Sequence, residues 1–154
     1  MRIWVDGDAC PNVIRDILVR AAERTQTQMT LVAGKPVQAP RSRFVTAVTV
    51  STGVDAADDA IVDRLQPGDL VVTADIPLAA RVVAKGGVAL NPRGDFYTEE
   101  NIRERLAMRD LMATLRDSGT VSGGPPPLNA NDRQAFANAL DRFLAKQQRA
   151  QQQQ

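Results

Sequence analysis

The first apolar run, "RIWV" (Arg2 to Val5), is short and is followed at once by the polar, turn-forming "DGDACP". A run of this length bounded by Gly and Pro predicts a buried strand. In "NVIRDILVRAAER" the period changes, and Val13, Ile14, Ile17, Leu18 and Ala21 fall on one helical face. That spacing predicts a helix opening beyond Pro11. "MTLVAG" (Met29 to Gly34) and "RFVTAVTV" (Arg43 to Val50) are β-branched runs, and they predict two more strands. Between them "KPVQAPRSR" is a Pro-containing loop that carries Lys35, Arg41 and Arg43.

Helical spacing returns in "VDAADDAIVDRL" (Val54 to Leu65), where Val54, Ala57, Ile61 and Leu65 share a stripe that "PGD" ends. "LVVTAD" (Leu70 to Asp75) predicts a buried strand, and "IPLAARVVAKGG" a helix with Pro77 near its first turn and Gly86 at its stop. "VAL" (Val88 to Leu90) is a short strand leading into "NPRGDFY". Beyond it, "TEENIRERLAMRDLMATLRDSG" predicts a helix capped by Thr98, with Ile102, Leu106 and Met112 at helical spacing and a stop at Gly119. "SGGPPPLNAND" reads as a loop. A final helix from about Asn131 to Gln148 offers Phe136, Leu140, Phe143 and Leu144 for docking. Residues 1–148 thus read as a single α/β domain with a C-terminal helical extension, and 149–154 as a disordered Gln-rich tail.

Strands alternating with helices at these intervals predict a mainly parallel sheet covered on both faces, with right-handed crossovers. In such sheets ligands bind outside the carboxyl ends of the strands, where strand order reverses. Candidate chemistry is therefore sought at strand ends.

Composition narrows that chemistry. The chain of 154 residues has a formal net charge of +1, from 19 basic and 18 acidic residues, so no overall positive field selects a polyanion. Its one cysteine, Cys10, rules out an internal disulfide framework and multi-Cys zinc sites, and fits a cytoplasmic setting. No signal-peptide pattern is present, and no apolar stretch approaches the roughly 20 residues of a membrane span. Histidine is absent. That removes Ser-His and Cys-His nucleophile pairs, a His general base and His-ligated zinc. Carboxylates, Lys, Arg, Tyr or a bound metal are left.

The acids fall where the crevice should be. Asp6 ends the first strand, Asp75 ends "LVVT", and Asp55, Asp58 and Asp59 cluster at the opening of the helix after "TVSTG". Oxygen ligands of this kind suit a hard divalent cation such as Mg²⁺ or Mn²⁺. Helix capping is the competing explanation, and it accounts for Asp8, Asp55 and Asp75 taken singly. Asp6 precedes the turn and is not explained that way. Asp58 lies roughly 60° from Ile61 at 100° per residue, which inclines it towards the sheet, while Asp59 faces further out. Asp55, Asp59 and Asp63 form an i,i+4 stripe of like charge that calls for a metal or an Arg partner.

Cys10 is expected to be a small buried hydrophobe. Among the cations, Arg93 in "NPRG" follows the last parallel strand and could meet a phosphate, with Lys85, Lys35, Arg41 and Arg43 as a basic rim. A plain turn with solvated charges is the alternative for each. Arg103, Arg105 and Arg109 share a helix with Glu99, Glu100 and Glu104, so intrahelical ion pairs are expected there.

The segments "WVDGDACP", "TGVDAADDAIV", "GDLVVTADIPLA", "KGGVALNPRGDFYT", "NIRERLAMRDLM", "SGGPPPL" and "DRQAFANALDRFL" resemble the YaiI/YqxD family of uncharacterised bacterial proteins, which is placed near the PIN and NYN nuclease superfamily. The resemblance runs from the first strand to the final helix. It implies a three-layer α/β/α sandwich and a nuclease that cleaves RNA with Mg²⁺ or Mn²⁺ held by strand-end acids. Matched by position, those acids are Asp6, Asp75, and Asp55 with Asp58 or Asp59. Where PIN proteins often carry a further acid, this chain has Asn91-Pro92-Arg93-Gly94.

The expected function is thus metal-dependent phosphodiester hydrolysis. Asp6, Asp58 and Asp75 are the expected catalytic residues and metal ligands, Asp8, Asp55 and Asp59 the outer metal ligands, and Arg93 and Lys85 the phosphate contacts. RNA or another phosphate-containing molecule is the expected partner. Two alternatives stay open. "VDGDA" also resembles the DxD of haloacid dehalogenase-type phosphatases, with Asp6 as nucleophile, Asp8 as general acid, Lys85 as cation and Asp75 on Mg²⁺. The chain could equally be a non-catalytic RNA- or nucleotide-binding module.

Overall fold

Strand β1 (Ile3–Asp6) is buried along its whole length because strands lie on both sides of it. The computed structural model describes residues 1–154 apart from Thr52, Val54, Pro125, Gln153 and Gln154. The expected helical position of Val54, the place of Pro125 in its loop and the last two residues of the tail lie outside the described residues. The elements continue as α1 (Asn12–Thr25), β2 (Met29–Ala33), β3 (Val45–Thr49), α2 (Ala56–Arg64), β4 (Leu70–Val72), α3 (Ile76–Ala84), β5 (Val88–Leu90), β6 (Phe96–Tyr97), α4 (Ile102–Asp117) and α5 (Ala130–Gln152).

The strand order is β3-β2-β1-β4-β5-β6. All neighbouring pairs are parallel except β5 with β6. From β1 the chain builds outwards through β2 and β3, then crosses to β4 on the other side of β1. Strand order therefore reverses between β1 and β4, which is where open α/β sheets place their ligand crevice.

The period-two alternation of the strands divides the core. Ile3, Val5, Leu31 and Val72 meet α1 and α5 through Ile14, Leu18, Phe136 and Leu140 on one face. Trp4, Val32, Val71 and Ala89 meet α2, α3 and α4 through Ile61, Leu78, Val82 and Ile102 on the other. The result is an α/β/α sandwich of three layers, with α5 docked beside α1. Gly94, at the turn from β5 to β6, has φ +93 and lies so close to α5 that a Cβ would meet the Ala135 carbonyl at 2.7 Å. Only glycine fits that contact without movement.

Several boundaries differ from expectation. Val13 is 38 % exposed and Ala22 is buried instead, so the apolar face of α1 is turned by part of a residue spacing. Strand β6 pairs with Leu90 and Ala89 although its two residues carry no alternation of their own. Thr98 and Asn101 exchange hydrogen bonds, each side chain taking the other's backbone N–H, and this closes a turn ahead of α4. The regular helix consequently starts at Ile102, beyond the expected cap. Helix α5 runs to Gln152, past its expected end at about Gln148. Ala, Gln and Arg are favourable helix formers, and no Gly or Pro stops the helix there.

Candidate functional site

Because side chains alternate along β1, Asp6 shares the α2/α3 face with Trp4, and on β4 the next position in step with Val71 is Thr73. The two polar groups meet. Thr73 Oγ1 donates to Asp6 Oδ2 at 3.1 Å and accepts the backbone N–H of Asp75 at 3.0 Å. Asp6 is only 4 % exposed. Asp75 caps α3, its Oδ1 accepting the Leu78 N–H at 3.0 Å, so the capping reading holds for this residue.

The other two expected caps are not caps. Asp8 is exposed, and its Oδ2 accepts the backbone N–H of Gly34 at 2.8 Å, tying the turn after β1 to the end of β2. The N-cap position of α1 is Pro11, beyond the reach of Asp8, and it has no side-chain cap bond. Asp55 does occupy the N-cap position of α2, but in the left-handed region (φ 62) and with no side-chain cap bond. Asp tolerates that conformation, and here it leaves the carboxylate directed to another purpose. Gly7 serves close approach: a Cβ there would lie 3.2 Å from Ala33 Cβ and from the Val32 carbonyl oxygen.

Asp6, Asp8, Asp55, Asp58 and Asp75 together line a cleft of about 250 Å³, with Gly34 on its far wall. Three connections of the chain, β1–α1, β3–α2 and β4–α3, deliver them to the carboxyl edge of the sheet, across the β1/β4 reversal. Asp59 does not join them. It turns outwards to an ion pair with Arg81 of α3 at 2.8 Å, both side chains about half exposed. This pair relieves the i,i+4 acid stripe by the Arg partner that stripe called for.

Crowding of carboxylates shows in their proton affinities. Burial pushes the Asp58 carboxyl up to about 7, reinforced by the charges of Asp75, Asp6 and Asp55 and by a hydrogen bond to Asp75 that favours the protonated form. Burial also raises Asp6, with the Asp75 and Asp8 charges adding to it and the Thr73 hydrogen bond opposing it. The cleft therefore holds one carboxyl that exchanges its proton near neutral pH, an arrangement suited to proton transfer or to exchange of that proton for a cation. The donor set is all oxygen, as hard divalent cations require. Among the described residues, no group of three or more Asp, Glu or Cys side chains closes tightly enough to hold an ion. The fit to a metal is therefore one of donor chemistry and charge.

The expected cations are mostly elsewhere. Helix α3 runs from the carboxyl edge of the sheet to the amino edge, so Lys85 at its end stands on the wrong side, donating to the Val62 carbonyl. Arg93 is on the right edge but engaged: it pairs with Asp132 at 2.7 Å and donates to the Pro126 carbonyl. Arg43 stands near the start of β2, its carbonyl accepting from Gln28 and its guanidinium 5.9 Å from the Phe44 ring centroid. Arg41 is exposed, and Lys35, also exposed, directly follows Gly34 of the cleft wall. On α4, Arg109 pairs with Asp110 and Arg105 lies 6.0 Å from the centroid of the Tyr97 ring, in place of the expected pairs with Glu99, Glu100 and Glu104.

Three polar residues of consequence carry no motif. Thr73 is visible only as the first residue of "TAD". Asn91, 8 % exposed, folds the turn after β5 by accepting the N–H groups of Arg93 and Asp95, so its position serves the backbone. Asp69, 4 % exposed, gathers the N–H groups of Arg2, Trp4 and Gln66 at the opposite edge of the sheet. Cys10 is buried, and burial pushes its thiol up to about 12, in keeping with a structural role. No described helix is long and apolar enough to cross a membrane.

Residues 4–146 match the family model described as "Uncharacterized BCR, YaiI/YqxD family". A UPF0178 protein of Pectobacterium carotovorum is 62% identical over 144 residues, 94% of this chain and 96% of the relative. One from Hahella chejuensis is 60% identical over 95% of this chain and 97% of its own length. Another, from Thioalkalivibrio sulfidiphilus, is 63% identical over 95% and 99%. No solved structure matches the chain.

Proposed function

The chain belongs to the YaiI/YqxD family of uncharacterised bacterial proteins, and we propose that it is a metal-dependent hydrolase of phosphodiester bonds acting on RNA. The observation that carries this reading is the convergence of five carboxylates on one cleft at the point where strand order reverses. Its support from resemblance is the correspondence of Asp6, Asp75, and Asp55 with Asp58 or Asp59, to the acids of PIN and NYN nucleases. Mg²⁺ or Mn²⁺ held by Asp6, Asp58 and Asp75 would supply an acidified water and offset charge growing on the phosphate, so no histidine is needed.

The chain's own groups divide the remaining work. Asp6 is fixed by Thr73 and cannot turn away from the cleft. Asp75 keeps one oxygen on the α3 cap and leaves the other for the site. Asp58, which burial keeps protonated up to about pH 7, would exchange that proton for the cation. Asp8 and Asp55 border the cleft, and Lys35 is the exposed cation beside the wall, suited to a phosphate of the incoming strand. The phosphatase alternative loses its cation, since Lys85 lies on the far edge and donates to the Val62 carbonyl.

The open spacing of the carboxylates favours one rival, a non-catalytic RNA-binding protein. Incubation with single-stranded and structured RNA in Mn²⁺, Mg²⁺ or EDTA, beside Asp6→Asn and Asp75→Asn and a generic phosphatase substrate, separates the two. Cleavage that needs the metal and disappears in both variants supports the hydrolase. Salt-sensitive RNA binding that survives EDTA and Asp6→Asn, with no cleavage, supports the rival.

A further inference from the structure

Next to the acid cleft lies a second cavity of about 440 Å³, on the other side of Asp75. Ala9 borders both, and Ala74 and Ile76 flank Asp75 on the second cavity's wall. Its sides are mostly aliphatic, formed by Pro11, Pro92, Pro126, Pro127 and Leu128. The Pro126 side is held in place, because Arg93 donates to the Pro126 carbonyl and pairs with Asp132, which in turn exchanges hydrogen bonds with Asn129. The ion pair also cancels the charge of Arg93, leaving a neutral slot.

The polar part of this slot is specific. Asn91 Oδ1 accepts two backbone N–H groups, which fixes the amide so that Nδ2 faces Tyr97 and donates to its hydroxyl at 3.3 Å. Tyr97 Oη is the acceptor in that bond, and among the described residues no acceptor is placed to take its own proton. Tyr97 is 5 % exposed. A buried hydroxyl with an unmet proton selects a ligand that brings an acceptor.

We propose that this slot is a nucleobase subsite, taking the base of a nucleotide whose phosphate lies over the neighbouring acids. It rests on the reading of that cleft as a phosphodiester site. A purine or pyrimidine has the required chemistry: a flat, uncharged ring that buries its faces against aliphatic walls, with a ring nitrogen or carbonyl oxygen to accept from Tyr97. Its tether to a phosphate explains why a neutral slot should open directly beside an acidic one.

The probe is 2-aminopurine riboside 5′-monophosphate, titrated against the full chain by fluorescence in EDTA and again in Mg²⁺. Ala74 is exposed, so Ala74→Leu fills the mouth of the slot with little risk to folding, and Tyr97→Phe removes only the hydroxyl. Saturable binding is expected, weakened about tenfold or more by Ala74→Leu. Tyr97→Phe is expected to weaken it about three- to tenfold, one hydrogen bond's worth. Absence of saturable binding, or binding that Ala74→Leu leaves unchanged, overturns the subsite even if RNA is cleaved. Binding in EDTA lost in Ala74→Leu, without metal-dependent cleavage, leaves the subsite standing and removes the hydrolase.

Discussion

Thr73 holds Asp6: its hydroxyl crosses from the end of β4 to the end of β1 and donates to the carboxylate at 3.1 Å. The same oxygen accepts the Asp75 N–H, so one side chain sets the relative position of two of the proposed ligands. Thr73→Val keeps the shape and removes the bond. It is expected to destabilise the fold by about 1–3 kcal/mol, because a buried acceptor loses its partner. The hydrogen bond lowers the proton affinity of Asp6, so the variant raises it further. RNA cleavage is expected to fall about 10- to 100-fold, the usual effect of removing a ligand's supporting partner. Thermal melts and cleavage rates test the two effects separately.

Asp58 makes metal-free stability depend on pH. Its folded-state pKa of about 7 stands above the ordinary 3.8, so between these values the folded chain binds more protons than the unfolded one. Stability therefore declines as pH rises across that window, and the whole penalty is present above it. Asp58→Asn removes the penalty. In EDTA at pH 8 the variant is expected to melt about 2–4 °C higher than the wild type, after discounting for solvent screening. At pH 4 the two should melt together.

Cation binding should release that proton. Mn²⁺ or Mg²⁺ is expected to raise the melting temperature of the wild type, with about 2.7 kcal/mol gained at a hundred times the dissociation constant. Below pH 7 the apparent affinity should weaken by up to about tenfold per pH unit as the proton on Asp58 competes. Calorimetry in buffers of different ionisation enthalpy measures the released proton. Affinity that ignores pH between 5 and 8 would remove Asp58 from the ligand set.

Much of this was legible in the chain itself. The period-two and helical runs predicted β1, α1, β2, α3 and β5 nearly to their ends, and the strand-end rule singled out Asp6 and Asp75. Their local sequence determines both facts. What could not be read depends on partners distant in sequence. Asp8 looks like a cap until Gly34, 26 residues on, is seen to need its carboxylate. Asp59 differs from Asp58 by one helical position, yet Arg81 draws it out of the cleft. Lys85 looks free until the direction of α3 carries it to the other edge. Thr73 and Asp69 gain their importance from Asp6 and Trp4, each more than sixty residues away.

Asp69 is expected to matter to the fold and not to the acid cleft. Its carboxylate satisfies Trp4 Nε1 and the backbone N–H groups of Arg2 and Gln66 at the edge opposite the acid cleft. Asp69→Ala strands these donors. A loss of about 3 kcal/mol is expected, or about 6–12 °C in melting temperature. Below the melting range, cleavage and cation affinity should match the wild type, and a selective loss of either would mean that the two edges communicate.

The docking of α5 against α1 has a consequence for assembly of the chain. Phe136, Leu140 and Leu144 seal Leu18 and Ala22 on one side of the sheet, whereas every acid of the cleft is encoded by residue 75. During synthesis the acidic end of the molecule is spelled out first, and the surface that completes the cover of its apolar underside arrives more than fifty residues later. Until then only α1 covers this face of the nascent sheet and part of its apolar surface stays bare, which makes this interval the one in which a chaperone is most useful.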